Sequence, residues 1–192
     1  MLTIMGGEWK GRKLLVPSSH QLRPTAGRVK SAIFSILESY RMKQGLSASL
    51  QNAVCLDLFA GVGGLGFEAI SRGASRCVFV EKDRAHLRAL KLNREKLGCE
   101  TETIVVDCPV ERSQRFLTAH GPFDYVFLDP PYDLPNLASY LDFIVEHVAL
   151  NPGAMLIFEH RANEELPIPE RLELHSARKL GPASLSIFIS KI

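Results

Sequence analysis

Long apolar runs are missing from this chain of 192 residues, and no stretch approaches the roughly 18 apolar residues that a membrane-spanning helix needs. Its first seven residues contain neither the basic nor the apolar segment that directs export. With 46% hydrophobic and 23% charged residues, the composition is typical of a globular protein and excludes the disordered and fibrous classes. We therefore expect a cytoplasmic protein of about one domain that does not bind a membrane.

Paired cysteines and clustered metal ligands are also missing. Cys55, Cys77, Cys99 and Cys108 form no C-x-x-C pair, so they are interpreted as small apolar residues rather than as disulfide partners or metal ligands. The six histidines are scattered without the spacing of a metal site or of a Ser-His-Asp triad. We expect no bound metal.

Charge is unevenly distributed, although the net charge is only +2. Residues 1–43 hold eight basic and two acidic side chains, a net charge of +6, whereas the remainder holds 15 basic and 19 acidic ones, a net charge of −4. A basic segment favours a polyanionic partner such as RNA, but a solvated charged surface has the same composition. The candidate RNA-binding residues are Lys10, Arg12, Lys13, Arg23 and Arg28.

The N-terminal part is predicted to form a hairpin and a helix. Residues 2–4 and 13–16 have the pattern of short strands, and Trp9 between them either stacks on RNA or packs in the core. Thr25 is a candidate N-cap for a helix whose apolar residues recur at helical spacing. The polar segment 45–52 then suggests a division into a basic extension, residues 1–44, and a main domain, residues 45–192.

From residue 53 onward, strand and helix patterns alternate. Strands are predicted over residues 53–58, 77–80, 103–106, 125–128 and 155–158, with a turn at 151–153 and a closing hairpin from 172–180 and 185–189. Helices are predicted over residues 65–72 and 84–97, the second closed by Gly98, and from about Pro135. This order predicts an α/β fold with a mainly parallel sheet, whose ligands bind beyond the carboxyl ends of the strands.

A glycine-rich loop follows the first strand of the main domain. Gly61, Gly63 and Gly66 match the spacing G-x-G-x-x-G, and Glu81 lies 20 residues after Gly61 at the end of the next strand. Glycines allow close approach of a ligand, and an acidic residue at that position accepts hydrogen bonds from ribose hydroxyls. The pattern fits a dinucleotide as well as another adenosine ligand. Four glycines in six residues disfavour a plain tight turn.

Asp57 and Asp107 refine the choice of ligand. Asp57 lies four residues before Gly61, where a carboxylate would repel a diphosphate but suits a cationic amino group such as that of S-adenosylmethionine. Asp107 follows the third strand, where it either accepts a hydrogen bond from the adenine amine or caps a turn. Both interpretations of Asp107 remain open.

The tetrapeptide Asp129-Pro130-Pro131-Tyr132 directly follows the fourth strand. Two prolines fix the backbone and leave carbonyl groups without neighbouring N–H groups, so the Asp129 carboxylate and the Pro130 carbonyl can accept both hydrogens of an exocyclic amine. Tyr132 offers a face for stacking a flipped base. The alternative is an acidic turn broken by two prolines, but its position after a strand, downstream of the glycine loop, favours the chemical interpretation.

Together these motifs resemble the class I S-adenosylmethionine-dependent methyltransferases of the DPPY type, and in particular the RsmD family, which methylates a guanine N2 amine in bacterial small-subunit ribosomal RNA. The similarity runs over nearly the whole chain. It includes residues 4–14, 22–25 with 28–30, the loop 57–66 continuing to residue 74, Glu81, and residues 129–132. Two positions depart from the family pattern, with Gly27 in place of an aspartate and Ser31 in place of a glutamate.

The resemblance implies a Rossmann-like fold with a seven-stranded sheet and a substrate in ribosomal RNA or the small ribosomal subunit. We expect a monomer that needs no metal. The resemblance further implies S-adenosylmethionine bound by Asp57, Phe59, Gly61, Gly63, Glu81 and Asp107. It also implies that residues Asp129, Pro130, Pro131 and Tyr132 form the catalytic motif.

Four other functions are considered. A DNA amine methyltransferase shares the motif but usually needs a target-recognition segment for which this chain has no room. A protein glutamine methyltransferase typically has Asn in place of Asp129. A nicotinamide dehydrogenase leaves Asp57 and residues 129–132 unexplained, and a non-enzymatic RNA-binding module explains only the basic segment.

Overall fold

The computed structural model describes residues 2–18, 26–131, 133–162, 164 and 166–191. At the N-terminus, strand β1 (Leu2–Thr3) pairs antiparallel with β2 (Lys13–Leu14), and helix α1 (Ala26–Lys43) follows. The predicted hairpin and helix are therefore present, with strands shorter than predicted. The predicted cap Thr25 lies outside the described residues.

The main body alternates strands and helices before a final hairpin. Its elements are β3 (Val54–Leu58), α2 (Gly64–Ser71), β4 (Arg76–Glu81), α3 (Arg84–Leu97), β5 (Thr103–Asp107), α4 (Gln114–His120), β6 (Phe123–Leu128), α5 (Ala138–His147), β7 (Leu150–Arg161), β8 (Leu172–Leu180) and β9 (Ala183–Ser190). The seven-stranded sheet has the order β5-β4-β3-β6-β7-β9-β8. Strands β3 to β7 run parallel, and β9 is antiparallel to both of its neighbours. The predicted fold class and seven-stranded sheet are confirmed.

Two features differ from the sequence-based prediction. Helix α4 and the 3-10 turn Val110–Arg112 before it were not predicted, because each has a single buried apolar residue and so no apolar periodicity. Residues 151–153, predicted as a turn, lie inside β7 instead. There the register against β6 shifts after Phe123, and Gly153 has a φ of 75°, so this segment forms an irregularity within the strand.

Two hydrophobic clusters cover the two faces of the sheet. One contains residues of α1, α2 and α3, and the other contains residues of α4 and α5. Ile4, Trp9 and Leu14 of the N-terminal part belong to the first cluster. Trp9 is therefore a packing residue, and the extension shares its core with the main body. The division at residue 45 stays a prediction from composition.

The course of the chain through the sheet creates a binding position at its centre. From β3 the chain proceeds outward through β4 and β5, and then returns to β6 on the other side of β3. Ligands of such sheets bind outside the carboxyl ends of the strands at this reversal of strand order. Among the described residues, no helix is long and apolar enough to cross a bilayer.

Candidate functional site

A cavity of about 420 Å³ lies at the carboxyl ends of the central strands. The loop between β3 and α2, the segments after β4, β5 and β6, and the end of β7 form most of its wall, and β1 and α1 complete it. Its acidic lining residues are Asp57, Glu81, Asp83, Glu111, Asp129 and Glu159. Much of the remaining wall is apolar, so the cavity suits an organic ligand that carries positive charge.

Asp57 lies near the end of β3 and is only 2% exposed. Its Oδ2 accepts a hydrogen bond from the Gly66 backbone N–H at 2.8 Å. Burial raises the pKa of this carboxyl well above its ordinary value, the Gly66 hydrogen bond opposes that shift, and the nearby Asp129 and Glu81 reinforce it. A cationic ligand would stabilise the ionised form, as the sequence-based interpretation of Asp57 requires.

The glycine loop makes the sharp turn from β3 into α2. Gly61 and Gly63 have φ values of 56° and 86°, in the left-handed region that glycine adopts readily. Gly66 allows close packing of α2 on the sheet, since a Cβ there would lie 2.2 Å from the Phe79 ring. Phe59 and Gly61 line the cavity, whereas Gly63, the N-cap of α2, is not among the lining residues. Phe59 itself has a φ of 60°.

Glu81 is the last residue of β4, and it holds the glycine loop through hydrogen bonds. Its Oε2 accepts a hydrogen bond from the Gly61 N–H at 2.7 Å, and its Oε1 accepts bonds from the Lys82 and Asp83 N–H groups, also at 2.7 Å. A carboxylate offers about four acceptor positions, so room remains for a ligand hydroxyl. Glu81 therefore holds the loop and faces the cavity at once.

Asp107 is not brought into the cavity wall. It lies exposed at the end of β5, in register with Glu81, while the next four residues, 108–111, line the cavity. Tyr140 from α5 donates a hydrogen bond to the Glu111 carboxylate beside them and packs edge-on against Phe59, with ring centroids 5.0 Å apart. The adenine-binding role predicted for Asp107 stays a prediction.

The proline-containing segment follows β6 as predicted. Asp129 and Pro131 line the cavity, and Pro130 lies between them without reaching its wall. Tyr132 lies outside the described residues. The chain thus places Asp129 in the same cavity as Asp57 and Glu81, although 72 residues separate Asp129 from Asp57 in the sequence.

Besides residues 82, 83 and 86 after β4 and residues 108–111 after β5, sequence reasoning missed two further parts of the wall. The first is Glu159 near the end of β7, which follows an apolar strand just as Asp57 does and was detectable by that signal. The second comes from the N-terminal part, which contributes Leu2, Val29, Lys30 and Ile33. These four carry no motif, and only the tertiary packing of α1 brings them to the cavity.

A buried ion pair fixes this N-terminal wall. Lys30 is 4% exposed, and its Nζ lies 3.0 Å from Glu68 Oε2 and donates a hydrogen bond to the Thr3 carbonyl at 2.6 Å. Burial lowers the pKa of Lys30, while the Glu68 carboxylate acts in the opposite direction. Glu68 also accepts hydrogen bonds from the Met5 and Gly6 N–H groups at 2.8 and 2.7 Å. One carboxylate of α2 therefore joins the hairpin to α1.

Of the predicted RNA-binding residues, the four that the structure describes do not line the cavity. Lys10, Arg12, Lys13 and Arg28 are exposed, and Arg23 lies outside the described residues. Lys96 of α3 adds a cation beside them, since its Nζ donates a hydrogen bond to the Lys13 carbonyl at 2.8 Å. RNA binding by these residues stays a prediction.

Comparison with known proteins gives consistent matches over almost the whole chain. The family model described as "conserved hypothetical protein 95" matches residues 2–189. A protein of Haemophilus influenzae named ribosomal RNA small subunit methyltransferase D is 35% identical, over 96% of this chain and 92% of its own. A protein of the same name from Escherichia coli K12 is 32% identical, over 97% and 89%.

A solved structure shows the same architecture. The Escherichia coli protein yhhF is 32% identical and superposes with a TM-score of 0.81, over 98% of this chain and 97% of its own. The similarity therefore includes the N-terminal hairpin as well as the seven-stranded sheet.

Proposed function

The chain belongs to the family of conserved hypothetical protein 95, the RsmD family, and from this premise we propose that it methylates small-subunit ribosomal RNA with S-adenosylmethionine. We propose further that the accepting group is the exocyclic N2 amine of a guanine. The family resemblance suggests this atom, and the Asp129 segment is chemically suited to such an amine.

The cavity residues fit the proposed cofactor. A buried carboxyl at Asp57 suits the amino group of the methionine part, and Glu81 has acceptor capacity left for a ribose hydroxyl. Phe59, Pro109 and Val110 offer apolar surface for the adenine ring. When bound, S-adenosylmethionine supplies a methyl group on a positively charged sulfur, and the carboxylates of the cavity would favour binding of this cation.

The Asp129 segment would align the accepting amine. The Asp129 carboxylate and the Pro130 carbonyl would each accept one N–H hydrogen, which turns the nitrogen lone pair towards the methyl group. As the N–CH₃ bond forms, the S–CH₃ bond breaks with its electron pair staying on sulfur, and the amine proton then leaves to solvent. Asp129 acts through alignment and need not be a strong base. Tyr132 would stack on the base.

The observation that carries this proposal is the meeting of Asp57, Glu81 and Asp129 in one cavity of a chain from this family. A DNA or protein substrate would use a similar cavity, so the experiment must compare substrates. The chain is incubated with methyl-labelled S-adenosylmethionine and, separately, with undermethylated small ribosomal subunits, duplex DNA and protein extract. Label recovered as N2-methylguanosine from the ribosomal subunits is the expected result.

Amino-acid substitutions test whether the reaction takes place in this cavity. The Asp129→Ala variant should lose most of its kcat while its affinity for S-adenosylmethionine stays near that of the wild type, because the lost interaction acts in the transition state. Asp142→Ala, at an exposed position of α5, is the matched control. Label in DNA or protein instead of ribosomal RNA, or normal turnover by Asp129→Ala, would contradict the proposal.

A further inference from the structure

Three neighbouring strands each bring one carboxylate to the same end of the sheet. Asp57 lies near the end of β3, Asp129 directly follows β6, and Glu159 lies near the end of β7. The register aligns Leu58 with Leu128, and Leu128 with Phe158, so Asp129 and Glu159 each follow an aligned residue. Adjacent strands are about 4.8 Å apart, which places Glu159 roughly two strand spacings from Asp57.

Glu159 is a cavity residue for which the proposed reaction has no role so far. It is 8% exposed and lines the cavity. Met155 and Ile157 of the same strand belong to the cluster that contains α1, and the two-residue period of a strand directs Glu159 to that side too. Glu159 therefore presents a hydrogen-bond acceptor at the cavity wall on the β7 side.

The position of Glu159 assigns it to the target base rather than to the cofactor. The residues suited to the cofactor, Asp57 and Glu81, belong to β3 and β4. Glu159 lies on the opposite side of β6 from both of them. Asp129, which would hold the accepting amine, follows β6 and so lies between Glu159 on one side and Asp57 and Glu81 on the other. A base that reaches Asp129 from the β7 side therefore meets the Glu159 carboxylate.

We propose that Glu159 is a specificity-determining residue that selects guanine by accepting a hydrogen bond from its N1–H. This inference rests on the proposed methylation of a guanine N2 amine. In guanine, N1–H is the donor next to the N2 amine, so Asp129 and Glu159 would contact adjacent atoms of one base edge. A base with an unprotonated N1 presents a lone pair to the carboxylate and is rejected.

The test compares guanine with 2-aminopurine, which keeps the exocyclic amine but has no hydrogen on N1. The nucleotide that the wild-type chain labels is mapped first, and small subunits are reconstituted with guanosine or 2-aminopurine there. The ratio of kcat/KM for the two substrates is measured. In Glu159→Ala the kcat/KM for the guanosine substrate relative to that for the 2-aminopurine substrate should fall by about 10- to 100-fold. This change is the equivalent of one hydrogen bond to a charged group.

A second variant and a control keep the test decisive. Glu159→Gln keeps the side-chain size, and its amide can donate to the unprotonated N1, so this variant should also lose discrimination. Glu173→Ala, exposed on β8, should keep the wild-type ratio. The affinity for S-adenosylmethionine, measured by calorimetry, should be unchanged in all variants, because Glu159 lies away from the cofactor residues.

The outcomes separate the two proposals. If the wild type labels guanine N2 and both Glu159 variants keep its ratio, the role of Glu159 is wrong while the proposed function stands. If the wild type places no label on a guanine amine, the proposed function fails and the role of Glu159 fails with it.

Discussion

Asp57 has a carboxyl group whose ionisation depends on what occupies the cavity. Its pKa is raised above the ordinary value of 3.8 because the group is buried. The nearby Asp129 and Glu81 raise it further, because they repel a negative charge on Asp57. The stability that the protonated carboxyl confers is fully present below pH 3.8 and is lost as the pH rises through the folded-state pKa. A positively charged ligand beside Asp57 would lower that pKa again.

Binding of S-adenosylmethionine should therefore release a proton from Asp57 at pH values below the pKa that this carboxyl has in the ligand-free protein. Titration calorimetry in two buffers with different ionisation enthalpies measures this release, which should shrink as the pH is raised above the folded-state pKa. Asp57→Asn should abolish the release and weaken binding by about 1–3 kcal/mol, because a charged hydrogen bond is lost.

Asp142→Asn, at an exposed carboxyl of α5, should leave both the proton release and the affinity unchanged. If Asp57→Asn binds S-adenosylmethionine as tightly as the wild type and releases the same number of protons, Asp57 does not hold the amino group.

At the residue scale, the sequence identified the cavity residues that occur in motifs. Asp57, Gly61, Glu81 and Asp129 were found because a glycine spacing or a proline pair marks the ends of their strands. Lys30 was counted with the basic charge of residues 1–43, yet it is buried against Glu68. Its surroundings depend on contacts across 38 residues of sequence, which no local pattern encodes.

Among the elements, the joint between the hairpin, α1 and α2 depends on Glu68. This side chain has no exposed surface, and it binds Lys30, Arg72 and the backbone of residues 5 and 6. Arg72 in turn pairs with Glu38 of α1. A buried ion pair adds little net stability, because its charges lose their contact with water. Removing one of the charges is costly, because its buried partners are left unpaired.

Replacing Glu68 with Ala should lower the free energy of unfolding by about 3–5 kcal/mol, because it leaves Lys30 as an uncompensated buried charge. Thermal unfolding followed by circular dichroism measures the effect. Glu95→Ala, at an exposed position of α3, should change the stability by less than about 0.5 kcal/mol. An equally small change in Glu68→Ala would mean that the joint does not depend on this ion pair.

Elements with strong patterns were predicted with accurate ends, and those with weak patterns were not. Helix α3 was placed at residues 84–97 because its apolar stripe ends at Gly98, which adopts the left-handed cap conformation. The turn predicted at residues 151–153 was wrong because Asn, Pro and Gly also occur where a strand bulges. Residue types such as these show that a regular strand is interrupted. They do not show whether the strand continues to pair with its neighbour on both sides of the interruption.

For the whole molecule, the basic side chains of the N-terminal part lie in two different surroundings, which the sequence pattern did not distinguish. Lys30 faces inward to the cavity wall, whereas Lys10, Arg12, Lys13 and Arg28 face solvent. The sequence pattern placed this part in a basic extension before the main domain, and none of its residues was predicted to bind the cofactor. The structure instead brings β1 and α1 to the cavity, while the exposed cations stay outside its wall.

Replacing Lys10, Arg12 and Lys13 together with Gln should weaken RNA binding and flatten its salt dependence. Each lost phosphate contact lowers the magnitude of the slope of log K against log salt by about 0.7–0.9. Binding to ribosomal RNA is measured between low and moderate salt, and affinity for S-adenosylmethionine should stay unchanged.

A second triple variant tests whether any exposed cations would have the same effect. Arg171, Arg178 and Lys179 are also exposed, and they lie on or next to the edge strand β8; their replacement with Gln should leave the slope unchanged. Equal slopes for the wild type and the Lys10, Arg12 and Lys13 variant would mean that RNA binds elsewhere.

The joint at Glu68 also affects how the chain folds while it is being made. Met5 and Glu68 are 63 residues apart, so the hairpin leaves the ribosome well before the carboxylate that holds it. At a synthesis rate of roughly 5–20 residues per second, this interval lasts about 3–13 seconds. During that time Ile4 and Trp9 have no core to pack against, because their cluster includes α2 and the central strands. The hairpin is therefore expected to fold late, although it is made before the elements that hold it.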